Sequence, residues 1–282
     1  MNKAIFYFNS KPIMQKDIEN SLLEIGLRKG DIIMVHSDLS SFGKLGDVKD
    51  KNEFIKDILD SFRNVIGKEG TLIVPTYNTE SFCKYKIYDV NKTISTAGIF
   101  TEFVRKLATS IRSEDPIHSH AGIGKYAEKL LKDVGDESFG EDSFFDRFYR
   151  LNGKIVNFGT QFNKVTFIHY IETKFKVNYR FNKKFSGIII KKDGSKKKKE
   201  IIYYVRYLPE DGMDVEYDIN NMELLGSELE KRAFLKKIKL GNGYISCCNA
   251  KDCYEVGMDM LRKNEYVFLK NKPNVFAHKP FF

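Results

Sequence analysis

Several signals are missing from this 282-residue chain, and each absence removes a class of protein. No apolar run reaches the roughly 18 residues needed to span a bilayer. The opening MNKAIFYFNSKP meets Asn9 and Lys11 before an apolar signal segment develops, so a soluble, unexported, cytoplasmic protein is expected. Cysteine is scarce. Cys83, Cys247, Cys248 and Cys253 are too few and too clustered for a disulfide framework, and without C-x-x-C spacing they read as small buried hydrophobes. Neither an internal repeat nor a Pro/Gly/Ser-rich linker divides the chain, which favours a single domain over residues 1–282.

Aromatic residues, by contrast, are plentiful. The 23 Phe and 15 Tyr need a substantial dry core, which excludes a disordered chain. The net charge of +9 is concentrated: residues 183–199 hold eight lysines against one acid, Asp193. A basic run confined to one segment, without interleaved aromatics, argues against a nucleic-acid partner and leaves a solvated hairpin end or an anion-attracting tip.

The apolar pattern alternates between helix and strand periods. Met14, Ile18, Leu22 and Ile25 mark a helix face ending near Gly30, and Phe54, Ile55, Ile58, Leu59 and Phe62 mark another, stopped by Gly67. Ile32 to Val35, Thr71 to Val74 and Lys154 to Phe158 read as buried strands. Further helices are expected near 97–108, 126–131 and 144–151, and from Thr166 to about Phe175 with Asn163 or Thr166 as cap. This rhythm predicts an α/β fold with a largely parallel central sheet covered by helices on both faces, its core over about 14–178. A β-rich antiparallel appendage is expected over about 181–245, built on a hairpin with a long basic tip around Asp193-Gly194, followed by a C-terminal helix over about 249–263.

Ligands of open α/β sheets bind in loops after strands, which draws attention to His36, Ser37, Asp38, Ser40, Ser41, Gly43 and Gly46. Backbone N–H groups left free in such a loop can bind a pyrophosphate or an oxyanion, although the loop lacks G-x-G-x-x-G and a phosphate-loop Lys-Ser/Thr. An ordinary polar turn fits it equally. In NKVTFIHYIE, Asn163, Thr166, His169 and Glu172 recur every three residues, each step turning about 60° back around a helix. Thr166, His169 and Glu172 therefore share one side, and a carboxylate beside an imidazole makes a general base. A surface ion pair around a half-buried histidine is the plainer alternative. His118-Ser119-His120 looks like half of a metal site, which His36 and Asp115 would have to complete.

Four stretches, in order, resemble the aminoglycoside 3-N-acetyltransferase family: VHSDLSSFG, GTLIVPTYN, DPIHSHAGIGKYA and GEDSFFDRFYRLNGKIVNFGTQFNKVTFIHYIE. The resemblance covers about residues 14–178 and extends loosely to GNGYISCCNAKD. Asp38 departs from it by standing where the family usually has a second Ser, and Asp115 by replacing the usual His before Pro116. The resemblance implies direct transfer of an acetyl group from acetyl-CoA to an amine of an amino sugar, without metal and without an acyl-enzyme. It implies His169 as base, oriented by Glu172, with Thr76 polarising the thioester carbonyl beside N–H groups of the 36–43 loop. Acetyl-CoA contacts are implied at His36, Ser37, Leu39, Ser40, Thr76, Arg112 and Ser119. An aminoglycoside antibiotic, as in resistance, and a nucleotide-linked amino sugar, as in polysaccharide biosynthesis, are both open as acceptors, the second suiting a basic protein better. Two rivals remain: a metal-dependent hydrolase using His36, Asp115, His118 and His120, and a non-catalytic anion-binding module built on the lysine hairpin.

Overall fold

The computed structural model describes residues 3–206 and 221–270. Its first half runs β1 (Ala4–Phe8), β2 (Lys11–Met14), α1 (Gln15–Glu24), β3 (Ile32–Ser37), β4 (Lys44–Leu45), α2 (Lys51–Ile66), β5 (Thr71–Pro75), α3 (Thr79–Cys83), β6 (Ile87–Asp89), α4 (Ile99–Lys106), β7 (Ile111–Arg112) and β8 (His120–Gly124). There follow α5 (Ala127–Leu131), α6 (Phe144–Arg150), β9 (Lys154–Phe158), α7 (Ile168–Phe175), β10 (Arg180–Ile190), β11 (Lys196–Arg206), α8 (Glu223–Lys231), β12 (Lys236–Leu240), β13 (Gly243–Asn249) and α9 (Ala250–Lys263).

Local chemistry accounts for the principal elements. Helix α2 starts where the Asp50 carboxylate accepts the N–H groups of Asn52 and Glu53, and it ends at Gly67, whose φ of 68° suits a residue without Cβ. Strand β5 is buried along its whole length, as a central strand requires. Successive residues of β3 face opposite sides: Ile33 and Val35 join the cluster under α1, α2 and α4, whereas Met34 joins the one under α5, α6, α7 and α9. Helices thus cover both faces of the sheet.

That sheet has seven strands in the order β12-β13-β9-β3-β5-β8-β7 and is mixed, not largely parallel. Only β3–β5 and β3–β9 pair in parallel; β8, β7, β13 and β12 add antiparallel edges. The sequence rhythm missed them because HAGIG, IR and KKIKL are not apolar runs, and antiparallel neighbours need no crossover helix to announce them. The C-terminal segment also differs from a simple appendage. Strands β12 and β13 belong to the central sheet, and α8 interrupts the β-rich stretch.

The lysine-rich hairpin is longer than the sequence suggested. β10 and β11 pair from Arg180↔Arg206 to Ile190↔Lys196, so Lys196 to Lys199 lie in a strand instead of a tip. The turn closes tightly because Asp193 accepts from the N–H and hydroxyl of Ser195 and Gly194 adopts a φ of 84°. The apolar run Ile201 to Tyr207 in the sequence predicts that this strand continues to Tyr207, which lies outside the described residues. β6 pairs in parallel with β10, and a third apolar cluster of Phe82, Tyr88, Ile117, Phe185, Ile189 and Ile201 packs beneath this small sheet.

Candidate active site

Four strand ends converge on one edge of the central sheet. β3 delivers His36 and Ser37, β5 ends at Pro75, β8 begins at His120, and β9 leads into Gly159. The ends of β3, β5 and β9 border a cleft of about 680 Å³ lined by His36, Ser37, Asp38, Tyr77, Gly159, Lys164 and Thr166, among others, while His120 lies buried outside its lining. A larger cavity, about 890 Å³, lies at the opposite end of β5, beside Gly70 and Gly124, away from the residues singled out by sequence.

Helix α7 carries the acid–base pair. Its N-cap is Phe167, with no side-chain cap, so neither Asn163 nor Thr166 caps it. Within it, His169 Nδ1 lies 2.7 Å from Glu172 Oε2. Glu172 is 1% exposed and also accepts from Tyr179 Oη at 2.8 Å, while Arg180 Nε stands 2.9 Å from Oε2 as an ion pair. Burial by itself would raise the Glu172 pKa, but the Arg180 charge and the bonds from His169 and Tyr179 hold it down at about 2. Burial lowers the His169 pKa below 6.5, Arg180 lowers it further, and Glu172 opposes both. The imidazole is therefore neutral near pH 7, with Nδ1–H donated to the carboxylate. The His169 side chain remains 13% exposed, and its Nε2 has no partner among the described residues.

The residues implied as acetyl-CoA contacts separate into four places. His36 and Ser37 line the cleft. Leu39 is buried in the core, and Ser40 borders a different cavity with Tyr7 and Gly43. Thr76, Arg112 and Ser119 form a buried knot behind the cleft wall: Arg112 Nε donates to Thr76 Oγ1 at 3.2 Å, Arg112 Nη2 to Thr76 O at 2.8 Å, and Ser119 Oγ to Thr76 O at 2.7 Å. The loop after β3 also differs from an open anion cradle. Asp38 N–H bonds to Phe158 O, Ser40 N–H and hydroxyl to Asp38 Oδ1, and Ser41 N–H to Asp38 O. Asp38, the departure from the family pattern, is what draws the Ser40 donors inward.

Asp115 plays a comparable part, its Oδ1 accepting the N–H groups of Ile117 and His118 at 2.8 Å each. His118 packs among Tyr77, Phe139 and Tyr203, and His120 stacks on Phe144 at 3.8 Å. Among the described residues no group of three or more His, Cys, Asp or Glu side chains is arranged to hold a metal ion, so the histidines and Asp115 do not assemble the hydrolase centre.

Sequence reasoning missed Tyr77. Along an extended segment neighbouring side chains face opposite ways, so Thr76 turns into the Arg112 knot while Tyr77 reaches the cleft. There Tyr77 Oη lies 2.6 Å from Thr166 Oγ1 and 3.2 Å from His120 Nε2, and His36 Nε2 lies 3.4 Å from the same Thr166 oxygen. The sequence grouped Thr166 with His169 and Glu172 on one side of a helix, whereas Thr166 lies in the turn before α7 and bonds to His36 and Tyr77.

The fold and these strand ends define an α/β protein with a cleft lined by Thr166 and, three residues further along the chain, a carboxylate-supported histidine that is not itself among the lining residues. A family model for aminoglycoside 3-N-acetyltransferase matches residues 34–262, and the chain belongs to that family. It is 24% identical over 188 residues to aminoglycoside N(3)-acetyltransferase VII of Streptomyces paromomycinus, covering 60% of this chain and 63% of the relative. To the aminoglycoside N(3')-acetyltransferase-like protein YokD of Bacillus subtilis it is 24% identical over 240 residues, covering 77% and 86%. The chain thus spans about three fifths of the first of these relatives. In fold it is similar to aminoglycoside acetyltransferase AAC(3)-Xa, with a TM-score of 0.74, 17% identity and 89% and 93% of the chains covered. It is also similar to AAC-IIIb in a binary complex with CoASH, with a TM-score of 0.73, 19% identity and 92% and 98% covered.

Proposed function

We propose that this protein is a cytoplasmic acetyl-CoA-dependent N-acetyltransferase that acetylates an amino group of an amino sugar, with His169 as general base. The observation that carries the reading is the 2.7 Å contact between His169 Nδ1 and the buried Glu172 carboxylate, which leaves Nε2 free to take a proton. An amine attacks only when unprotonated. As its nitrogen bonds to the acetyl carbon, its proton passes to Nε2, Glu172 stabilises the resulting imidazolium, and the C–S bond breaks to release CoA as thiolate, which recovers a proton. Base catalysis of this kind contributes roughly 10²- to 10⁴-fold.

No covalent intermediate is needed, and the thiols are poor candidates for one. All four cysteines are buried; burial pushes the Cys83 thiol up to about 11 and raises Cys247 as well. Family membership supports an aminoglycoside as acceptor. A nucleotide-linked amino sugar is the second acceptor reading, favoured by Lys164 at the cleft and the net charge of +9. The test is release of free CoA thiol from acetyl-CoA across a panel of both acceptor types. Release with at least one amino sugar is expected, and none with either type would overturn the proposal.

A further inference from the structure

His36, Thr166, Tyr77 and His120 form one chain of hydrogen bonds: His36 Nε2 to Thr166 Oγ1 at 3.4 Å, Thr166 Oγ1 to Tyr77 Oη at 2.6 Å, and Tyr77 Oη to His120 Nε2 at 3.2 Å. The direction of each bond depends on the tautomers of the two end rings. Nδ1 of His36 and Nδ1 of His120 are both buried and without a hydrogen-bond partner among the described residues. A buried N–H left unbonded is rarer in proteins than an unbonded acceptor. On that ground the hydrogen of each ring is assigned to Nε2, leaving a lone pair at Nδ1.

The rest of the chain follows from that assignment. His120 Nε2–H donates to Tyr77 Oη, so the phenol hydrogen goes to Thr166 Oγ1. His36 Nε2–H donates to the same Oγ1. Thr166 therefore accepts two hydrogen bonds, and its own hydroxyl hydrogen is left to point elsewhere. Thr166 lines the cleft and precedes the proposed base by three residues.

We infer that the Thr166 hydroxyl is the donor that binds the thioester carbonyl oxygen as negative charge develops there. Two incoming bonds polarise the O–H, making it a stronger donor than an isolated threonine. Tyr77 is a positioning residue that acts through it, and the phenol stays protonated because burial raises its pKa. The role sought at Thr76, whose hydroxyl is enclosed with Arg112 and Ser119, passes to Thr166. The balance is that of the transfer itself: the C–N bond forms, the C–S bond breaks, the amine proton goes to His169, and Thr166 gives a hydrogen bond without losing its proton.

This inference rests on the acetyl-transfer reading, and one set of measurements separates the two. Thr166→Val keeps the shape and removes only the hydroxyl, and no helix cap is lost because Thr166 does not cap α7. Its kcat should fall about 10²- to 10³-fold, the usual effect of losing one such donor. The KM for acetyl-CoA and the thermal midpoint should stay close to wild type. Thr166→Ser should recover most of the lost kcat. Tyr77→Phe, which removes one of the two bonds feeding Thr166, should lower kcat by up to about tenfold. A wild-type protein that transfers acetyl groups beside a fully active Thr166→Val variant would sink this inference alone. So would a Thr166→Val loss that Ser does not rescue and that tracks a lowered thermal midpoint. Absence of thiol release by the wild type would overturn both readings.

Discussion

Nδ1 of His169 meets two groups at once, Glu172 Oε2 at 2.7 Å and Arg180 Nη2 at 3.1 Å. Only the carboxylate can bond to Nδ1–H, because a guanidinium has hydrogens to give and no lone pair to accept. Arg180 acts on the imidazole through charge, while its Nη1 is anchored to Tyr204 O at 3.0 Å. The base is thus held between a carboxylate that raises its pKa and an arginine that lowers it.

Replacing His169 by Ala should lower kcat at least about a hundredfold while leaving acetyl-CoA binding nearly intact. Glu172→Gln should cost less, because the imidazole remains. In the wild type, burial and Arg180 place the His169 pKa below 6.5, so the acid limb that belongs to the enzyme should lie on the acid side of that value. Steady-state kinetics from pH 5 to pH 8 with acceptors of different amine basicity check this; a limb above pH 6.5 that does not move with the acceptor would contradict it.

Acid should destabilise the fold well before it protonates ordinary carboxylates. Burial holds His36 at about 4 and pushes His118 and His120 well below 6.5, so between these values the unfolded chain binds protons the native protein refuses. Stability therefore rises with pH across that window and is lost as pH falls; His36 alone accounts for up to about 3 kcal/mol. Glu172, depressed to about 2, adds a loss of the same sign below pH 4.5. Denaturant titrations at pH 7, 5.5 and 4.5 measure the slope.

His118 contributes to that slope without holding anything in place. Among the described residues neither ring nitrogen has a hydrogen-bond partner, and the ring is buried among Tyr77, Phe139 and Tyr203. His118→Phe should keep the packing, remove an unpaired polar group at a gain of about 1 kcal/mol, and flatten the pH dependence by one proton. An unchanged slope would show that His118 is not a titrating group in unfolding.

Gly159 forms part of the cleft in a conformation that excludes other side chains. Its φ is 82°, and a Cβ there would come within 2.2 Å of Asp38 O and of Ser41 Oγ. Gly159→Ala should cost more than about 2 kcal/mol, from strain and from displacement of the loop after β3, and activity should fall with it. A thermal midpoint equal to wild type would refute this account.

The strand of lysines is expected to stand apart from the chemistry. Lys196, Lys197 and Lys198 are exposed, whereas Lys199 pairs with Asp136. Changing the first three to Gln should leave kcat unchanged. If they attract an anionic acceptor, its KM should rise and lose salt sensitivity; a collapse of kcat would place the active site elsewhere.

Spacing within a few residues was enough to read β3, β5, β9 and α2, and to bring His169 against Glu172. Those features depend on periodicity and on i,i+3 adjacency, which the chain carries locally. Contacts formed when distant segments close on one another were decided by the tertiary structure. HAGIG becomes a strand only because β5 lies beside it, and β13 joins the sheet by pairing with β9. Whether Thr76 or Tyr77 meets the cleft is a matter of one residue's parity at a strand end, which Arg112 and Ser119 settle from another part of the chain. Asp38 withdraws N–H groups that the composition of its loop suggested were free. The chain from His36 to His120 draws on four separate segments, so its direction, and the hydrogen it leaves on Thr166, exist only once β3, β5, β8 and the approach to α7 are packed together.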